Sequence, residues 1–226
     1  MQIIQKTFYT VELYDFHMLH QESKRIKHKQ NLKYNFKAGG LCKTVAFHHS
    51  WKYDRVMDQL KMLHLKSEAI WVDAGCGTGT FTFPMSTLVN KVIAVDQNLS
   101  RITHLRKSLP NNANIIPLLS DFNHDRYTID PVDGILFGFS LHYQQNPLIA
   151  LKNAYSQTRP GGSVVVFEYG RKTPLPWVPH PIPVGRGKIL LVDSGFIPSK
   201  IIFQNKRFYI LKGIKNLVNS KFRPAR

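Results

Sequence analysis

Glycine at every second position of one short segment constrains the fold of this chain more than any other feature of its sequence. Residues 70–74 read I-W-V-D-A, and Gly75, Gly77 and Gly79 follow them directly. Glycine adopts backbone conformations that other residues avoid, and it lets the main chain approach a ligand closely. The segment therefore predicts a short buried strand, a glycine-rich turn and the start of a helix, with Asp73 near the tip of the strand.

Two common nucleotide-binding loops fit this segment poorly. The dinucleotide-binding pattern G-x-G-x-x-G would need a glycine at the position of Thr80. The P-loop pattern needs a lysine after its last glycine, and no lysine follows these glycines. The glycine turn therefore matches neither of these two loop types.

Apolar runs alternate with segments of helical periodicity along most of the remaining chain. A turn is expected at Arg159–Gly162, and a proline-rich loop at Pro174–Pro183. Strands that alternate with helices predict an α/β fold, with a mostly parallel sheet and helices on both faces. We expect helices over residues 51–66, 80–88, 98–107, 145–158 and 184–194, and strands over residues 69–73, 91–96, 114–119, 133–139, 163–169, 197–203 and 207–211.

Three aspartates follow the first three predicted strands, where ligands of open α/β sheets bind. Asp73 precedes the glycine turn, and Asp96 follows the second strand about twenty residues later, where a carboxylate can accept both hydroxyls of a ribose. Asp121 follows the third strand, where it could meet the amino edge of an adenine while Phe122 packs against the ring. Each acid alone could instead cap a helix or stabilise a turn.

These features together resemble the class I S-adenosylmethionine-dependent methyltransferases. V-D-A-G-C-G-T-G at residues 72–79 resembles their motif I, and R-P-G-G at residues 159–162 resembles the turn before their fifth strand. The resemblance covers residues 53–211 and implies a doubly wound, seven-stranded, mostly parallel sheet with an antiparallel last strand. It also implies S-adenosylmethionine as cofactor and S-adenosylhomocysteine as product. The residues expected to bind the cofactor are Asp73, Gly75, Cys76, Gly77, Gly79, Asp96, Gln97, Asp121, Phe122 and Phe139.

Candidate catalytic residues follow the fourth and fifth predicted strands, and they are His142, Tyr143 and Glu168. His142 is the best candidate for a base, because histidine changes its charge near neutral pH. It could also orient the substrate without moving a proton, since proximity alone accelerates methyl transfer. Glu168 could bind a cationic group or stabilise its loop.

Several acceptors are disfavoured. G-F-S-L-H-Y at residues 138–143 departs from the N-P-P-Y type of motif that adenine methylation uses in the family, and neither Cys42 nor Cys76 follows a proline, as cytosine C5 methylation requires. The pattern is similar to the small-molecule, ubiquinone-biosynthesis-like (methyltransferase type 11) branch, which implies a small-molecule acceptor.

Composition leaves other partners open. The formal net charge is +17, from 31 Lys and Arg against 14 Asp and Glu. Such a field attracts nucleic acid, anionic membrane surfaces or acidic substrates, or it serves only solubility. We expect a basic arm or cap at residues 1–50, a methyltransferase domain at residues 51–212 and a basic tail at residues 213–226. The alternatives are an RNA or protein methyltransferase that uses the arm, and a binding protein that has the fold without the chemistry.

The sequence also bears on disulfides, metal binding and the cellular compartment. The two cysteines exclude a disulfide framework and a cysteine-built zinc site, so we expect no metal. No run of 18 apolar residues and no signal-peptide pattern occurs, and we therefore expect a cytoplasmic protein without a membrane span.

Overall fold

The strands and helices alternate from residue 53 to residue 217, which are the residues that the computed structural model describes. The predicted basic arm and the end of the predicted tail lie outside this range. The helices are α1 (Tyr53–Lys61), α2 (Thr82–Ser86), α3 (Leu99–Ser108), α4 (Pro147–Gln157) and α5 (Val184–Asp193), and a 3-10 turn spans Leu141–Tyr143. The strands are β1 (Ile70–Ala74), β2 (Lys91–Asp96), β3 (Ile115–Leu119), β4 (Val132–Gly138), β5 (Thr158–Tyr169), β6 (Ile197–Gln204) and β7 (Phe208–Ile214).

The seven strands form one sheet in the order β3-β2-β1-β4-β5-β7-β6. Strands β1 to β5 pair in parallel, whereas β7 is antiparallel to both of its neighbours, β5 and β6. The predicted fold class, including the antiparallel last strand, is confirmed. The strand order reverses between β1 and β4, and ligands of open α/β sheets bind at the carboxyl ends of the strands at such a point.

The core lies on both faces of the central strand β4, because successive side chains of a strand point to opposite faces. Ile135 and Phe137 pack in one apolar cluster with residues of α4 and α5. Leu136 packs in the other cluster, with residues of α1, α2 and α3. Burial on both faces explains why β4 reads as a nearly continuous apolar run.

Helix α2 is shorter than the predicted helix at residues 80–88. The hydroxyl of Ser86 donates to the carbonyl of Phe83 at 2.8 Å, and the hydroxyl of Thr87 donates to the carbonyl of Pro84 at 2.8 Å. Hydroxyls that bond back to nearby carbonyls compete with helical hydrogen bonds. The helix therefore ends at Ser86.

The turn predicted at Arg159–Gly162 was wrong in one respect, because the segment lies inside β5. It forms an irregularity between the pairs Val132–Thr158 and Gly134–Ser163. Its backbone stays paired: the N–H of Gly161 donates to the carbonyl of Lys215 at 2.9 Å, and the N–H of Lys215 donates to the carbonyl of Gly162 at 2.8 Å. This pairing extends the contact with the end of β7, which runs three residues beyond its predicted end.

Candidate active site

The glycine loop is fixed to the tip of β2 by main-chain hydrogen bonds. The N–H groups of Gly75 and Cys76 both donate to the carbonyl of Val95, at 2.8 and 2.9 Å. The N–H of Gly79 donates to the carbonyl of Cys76 at 2.9 Å and closes the turn. These bonds hold the loop against the carboxyl edge of the sheet.

The three glycines of the loop serve different purposes, although all have positive φ angles of 79°, 55° and 101°. A Cβ atom on Gly75 would collide with the side chain of Ser140, and one on Gly79 would collide with the ring of Phe83. A Cβ atom on Gly77 would meet nothing within 4 Å. Packing therefore requires Gly75 and Gly79, whereas Gly77 faces open space that suits the close approach of a ligand.

Asp96 joins the glycine loop to the start of α3. Its Oδ2 accepts from the N–H of Gly77 at 2.9 Å, and its Oδ1 accepts from the N–H of Asn98 at 2.8 Å. The guanidinium of Arg101 lies 3.8 Å from Oδ2. An ionised carboxylate offers about four lone-pair sites, so Asp96 keeps acceptor capacity for the hydroxyls of a ligand.

Asp73 is buried beneath the loop, and the hydroxyl of Thr82 donates to its Oδ2 at 2.6 Å. Burial raises the pKa of Asp73 to about 7; the hydrogen bond from Thr82 opposes this shift, and the nearby charge of Asp96 adds to it. Burial also raises the pKa of the Cys76 thiol, which is packed in the core.

Asp121 is half-buried after β3, and its carboxylate already has partners. Oδ1 accepts from the backbone and side-chain N–H groups of Asn123, both at 2.9 Å, and Oδ2 lies 2.9 Å from Nδ1 of His124. Partial burial tends to raise the pKa of Asp121, but these hydrogen bonds and the charge of His124 outweigh it and lower the pKa. Gln97, also predicted to bind the cofactor, is exposed at the end of β2.

Phe122 points into the core. Its ring meets Phe137 edge-on at 5.5 Å between centroids, and it lies close under Gly75. In this position it supports the glycine loop from below.

A histidine and a glutamate form a buried pair at the tips of β4 and β5. His142 is 1% exposed and Glu168 is 0% exposed. Oε2 of Glu168 lies 2.8 Å from Nδ1 of His142, and Oε1 accepts from the backbone N–H of His142 at 3.1 Å. Because a carboxylate only accepts, neutral His142 carries its proton on Nδ1 and its lone pair on Nε2. Nε2 is buried and forms no hydrogen bond with any residue between 53 and 217.

Aromatic rings surround this pair. Phe139, directly after β4, has a φ of 56°, which is uncommon for a residue with a side chain. The centroid of its ring lies 4.7 Å from that of Tyr169, and the ring centroid of Tyr169 lies 5.4 Å from that of His142. Tyr143 is exposed and lies 4.2 Å from His142. Backbone strain of this kind concentrates at functional sites.

Two hydrogen bonds that join the glycine loop, the histidine and the proline-rich segment were not predicted from the sequence. The hydroxyl of Ser140 donates to the carbonyl of Ala74 at 2.7 Å and joins the tips of β4 and β1. The proline-rich segment reaches the histidine, because the N–H of His180 donates to the carbonyl of His142 at 3.0 Å. No local pattern signals either contact, since each joins segments that are distant in sequence.

Two features are absent from the described part of the chain. No three His, Cys, Asp or Glu side chains between residues 53 and 217 come together as a metal-binding group. None of the helices in this range combines the length and the apolar character needed to cross a bilayer.

Similarity to known proteins agrees with this geometry. Residues 47–187 match the family described as a methyltransferase domain. No curated protein is significantly similar in sequence.

Three solved structures illustrate the likeness in fold. A SAM-dependent methyltransferase from Aquifex aeolicus has 19% identity and a TM-score of 0.59, over 73% of this chain and 99% of that chain. The N-methyltransferase NodS from Bradyrhizobium japonicum has 16% identity and a TM-score of 0.61, over 72% and 95%. Magnesium protoporphyrin IX methyltransferase from Synechocystis, crystallised with bound SAM, has 13% identity and a TM-score of 0.58, over 73% and 78%.

Proposed function

The chain belongs to the methyltransferase-domain family, and we propose that it transfers a methyl group from S-adenosylmethionine to a small-molecule acceptor, with His142 as the base that removes a proton from that acceptor. One observation carries the choice of base: His142 and Glu168 form a buried pair in which Nε2 of the histidine has no partner among the described residues. The acceptor is then a hydroxyl or an activated carbon acid, because these groups must lose a proton on methylation.

The residues at the tips of β1, β2 and β3 fit the cofactor. The open space above Gly77 accommodates a ligand against the bare backbone, and Asp96 retains lone pairs for ribose hydroxyls. Asp121 lies just after β3, and its lowered pKa favours the carboxylate form, which can accept a hydrogen bond from the amino group of an adenine. S-adenosylmethionine, when bound, supplies an electrophilic methyl group that needs no further activation.

Glu168 positions the base. It accepts a hydrogen bond from the Nδ1–H of His142, which leaves the lone pair of Nε2 free to take a proton from the acceptor. The carboxylate then stabilises the imidazolium that forms, as the acidic member does in other carboxylate–histidine arrangements. The bond from the backbone N–H of His142 to the same carboxylate fixes both groups in one orientation.

A small molecule is the acceptor favoured by the sequence. The segment after β4 lacks the motif for methylation of adenine, and neither cysteine has the context for methylation of cytosine. One protein of similar fold is a magnesium protoporphyrin IX methyltransferase, which sets a precedent for a small acceptor on this fold. The rings of Phe139 and Tyr169 beside His142 suit an acceptor with an apolar body.

Substitution of the proposed base tests this function. Acceptors are first identified by mass spectrometry of small molecules and of RNA incubated with isotope-labelled cofactor. His142→Gln is then expected to lower kcat by about 10²–10⁴-fold, the usual contribution of a general base, and to remove the rise of kcat with pH. Cofactor affinity, measured by calorimetry, should stay unchanged because the hydrogen bonds that fix the glycine loop and Asp96 involve no atom of His142.

His104→Gln, at an exposed histidine of α3, is the matched control and should behave as the wild type. Retention of kcat and of its pH dependence in His142→Gln would exclude a base at this position. RNA as the labelled product would exclude the small-molecule acceptor.

A further inference from the structure

A cavity of about 140 Å³ lies at the edge of the sheet opposite the glycine loop. It is bounded by the loop after α1, by the starts of β1, β4 and β5, and by the end of β7. Its volume exceeds several-fold the roughly 30 Å³ that one water occupies in the liquid. The methyl-transfer site uses none of the residues that line it.

Positive charge predominates in this cavity. Lys66, Arg159 and Lys212 line it together with one acid, Asp133. Asp133 is committed to the protein itself, because its Oδ1 pairs with Arg159 and its Oδ2 accepts from the N–H of Ile70 at 2.9 Å. Among the described residues, Lys212 therefore has no acidic partner in the cavity, whereas Lys66 is exposed and lies near Glu68.

Lys212 is the most unusual of these groups. It lies on β7 between two buried residues and is half-buried itself, and its side-chain ammonium forms no hydrogen bond or ion pair with the residues that the structure describes. Burial lowers the pKa of Lys212, which reflects the free energy needed to keep this charge away from water. An anion bound in the cavity would offset part of this cost, because partly buried charges are stabilised by pairing.

Two further donors line the cavity beside this lysine. Ser163 is only 7% exposed, and its hydroxyl forms no hydrogen bond within the described range. Ser163 pairs with Ile214 in the register that sets Val165 opposite Lys212, so both polar side chains lie on the same face of the sheet. The indole N–H of Trp71, which also lines the cavity, likewise has no partner among the described residues.

We propose that this cavity binds a small oxyanion, a phosphate or a carboxylate group, with Lys212 as its counter-ion and Ser163 as a hydrogen-bond donor. Arg159 keeps Asp133 neutralised and so limits the repulsion between that carboxylate and the anion. Glu68 is exposed near Lys66 and Arg159, and water and salt screen its charge.

Thermal unfolding of the full chain in phosphate tests the site. A ligand that binds only the folded state raises the unfolding temperature as its concentration rises. At constant ionic strength set with chloride, inorganic phosphate should raise Tm in a saturable way, and calorimetry should give one site per chain. A larger response to acetate than to phosphate would assign a carboxylate to the same site.

Matched variants locate the binding. Lys212→Met preserves most of the apolar stem and removes the charge, so it should weaken the fitted phosphate affinity at least tenfold without loss of folding. Ser163→Ala should weaken the affinity less. Lys188→Met, at an exposed lysine of α5, should respond to phosphate as the wild type does.

Two results would overturn the proposal. One is a wild-type Tm that neither phosphate nor acetate raises more than chloride does. The other is a Lys212→Met protein whose anion response equals that of the wild type. Neither measurement uses methyl transfer. A negative result would therefore overturn the anion site without bearing on the proposed catalytic function.

Discussion

The two halves of the carboxyl edge of the sheet are built in opposite ways. At the tips of β1 and β2, main-chain N–H groups satisfy the carbonyl of Val95 and both oxygens of Asp96. At the tips of β4 and β5, Nε2 of His142 is buried without a partner among the described residues, and Phe139 has a positive φ angle. Unsatisfied buried groups and strained backbone lower stability and concentrate at sites of chemistry. In the proposed function, the first half binds the cofactor and the second half carries the reaction.

The largest expected effect is on the reaction side. Glu168→Ala should lower the free energy of unfolding by about 2–6 kcal/mol, because it leaves two buried donors of neutral His142, the Nδ1–H and the backbone N–H, unpaired at about 1–3 kcal/mol each. Urea denaturation measures this loss. Glu168→Gln retains an acceptor of similar size and should lose less. A Glu168→Ala protein as stable as the wild type would show that the two halves do not differ in this way.

Alanine substitutions at Gly77 and Gly79 should lower stability by different amounts, because only Gly79 is packed against another side chain. Gly79→Ala combines a strained positive φ, about 1–2 kcal/mol, with a collision against Phe83, about 1–3 kcal/mol. Gly77→Ala has only the cost of the strained positive φ angle. It should therefore be clearly more stable than Gly79→Ala in denaturant titrations. Equal losses in the two variants would contradict the open space above Gly77.

A bulkier side chain at Gly77 tests whether the cofactor binds against the backbone of the glycine loop. Gly77→Val should abolish detectable cofactor binding in calorimetry while the protein keeps its folded circular dichroism spectrum. Unimpaired binding would mean that the cofactor does not approach this backbone.

On the binding side, Asp96→Ala should weaken cofactor affinity by about 1.5–3 kcal/mol, the scale of hydrogen bonds to charged groups. Calorimetry provides the measurement. Arg101→Ala is the matched control, because its guanidinium is half-exposed at 3.8 Å from Asp96 and exposed ion pairs contribute about 0–1 kcal/mol. An affinity that survives Asp96→Ala would refute the assignment of this carboxylate to ribose.

The last expected effect concerns the dependence of stability on pH. The pKa of Asp73 is raised from 3.8 to about 7 in the folded protein, so between these values the folded state binds the proton that the unfolded state has lost. Stability should therefore fall as pH rises from about 4 to about 7, by at most about 1.4 kcal/mol per pH unit for one proton, and then level off.

Asp73→Asn removes this titration and should flatten the curve. Urea denaturation of both proteins at several pH values across this window checks the difference in slope. Parallel curves for the two proteins would locate the pH dependence elsewhere.

Local sequence patterns were sufficient to predict most of the fold. The apolar runs and helical periods gave the strands and helices with ends that mostly lie within a few residues of those observed, because these patterns depend on neighbours along the chain. The positions of Asp73 and Asp96 at the ends of their strands, and of Asp121 just after β3, followed from the same patterns. The shortened α2 and the irregularity inside β5 depended on side-chain bonds and cross-strand pairing, which no local window contains.

The amino-acid sequence by itself determined that a glycine loop and three strand-tip carboxylates would meet at one edge of a mostly parallel sheet. Only the tertiary structure decided that Glu168 reaches across to His142, that Phe122 turns into the core and that Gly77 alone among the loop glycines faces open space. The pairing of β4 with β5 sets the first of these contacts, and the packing of neighbouring side chains sets the other two. Contacts of this kind join residues far apart in the sequence, so their geometry exists only once the sheet has formed.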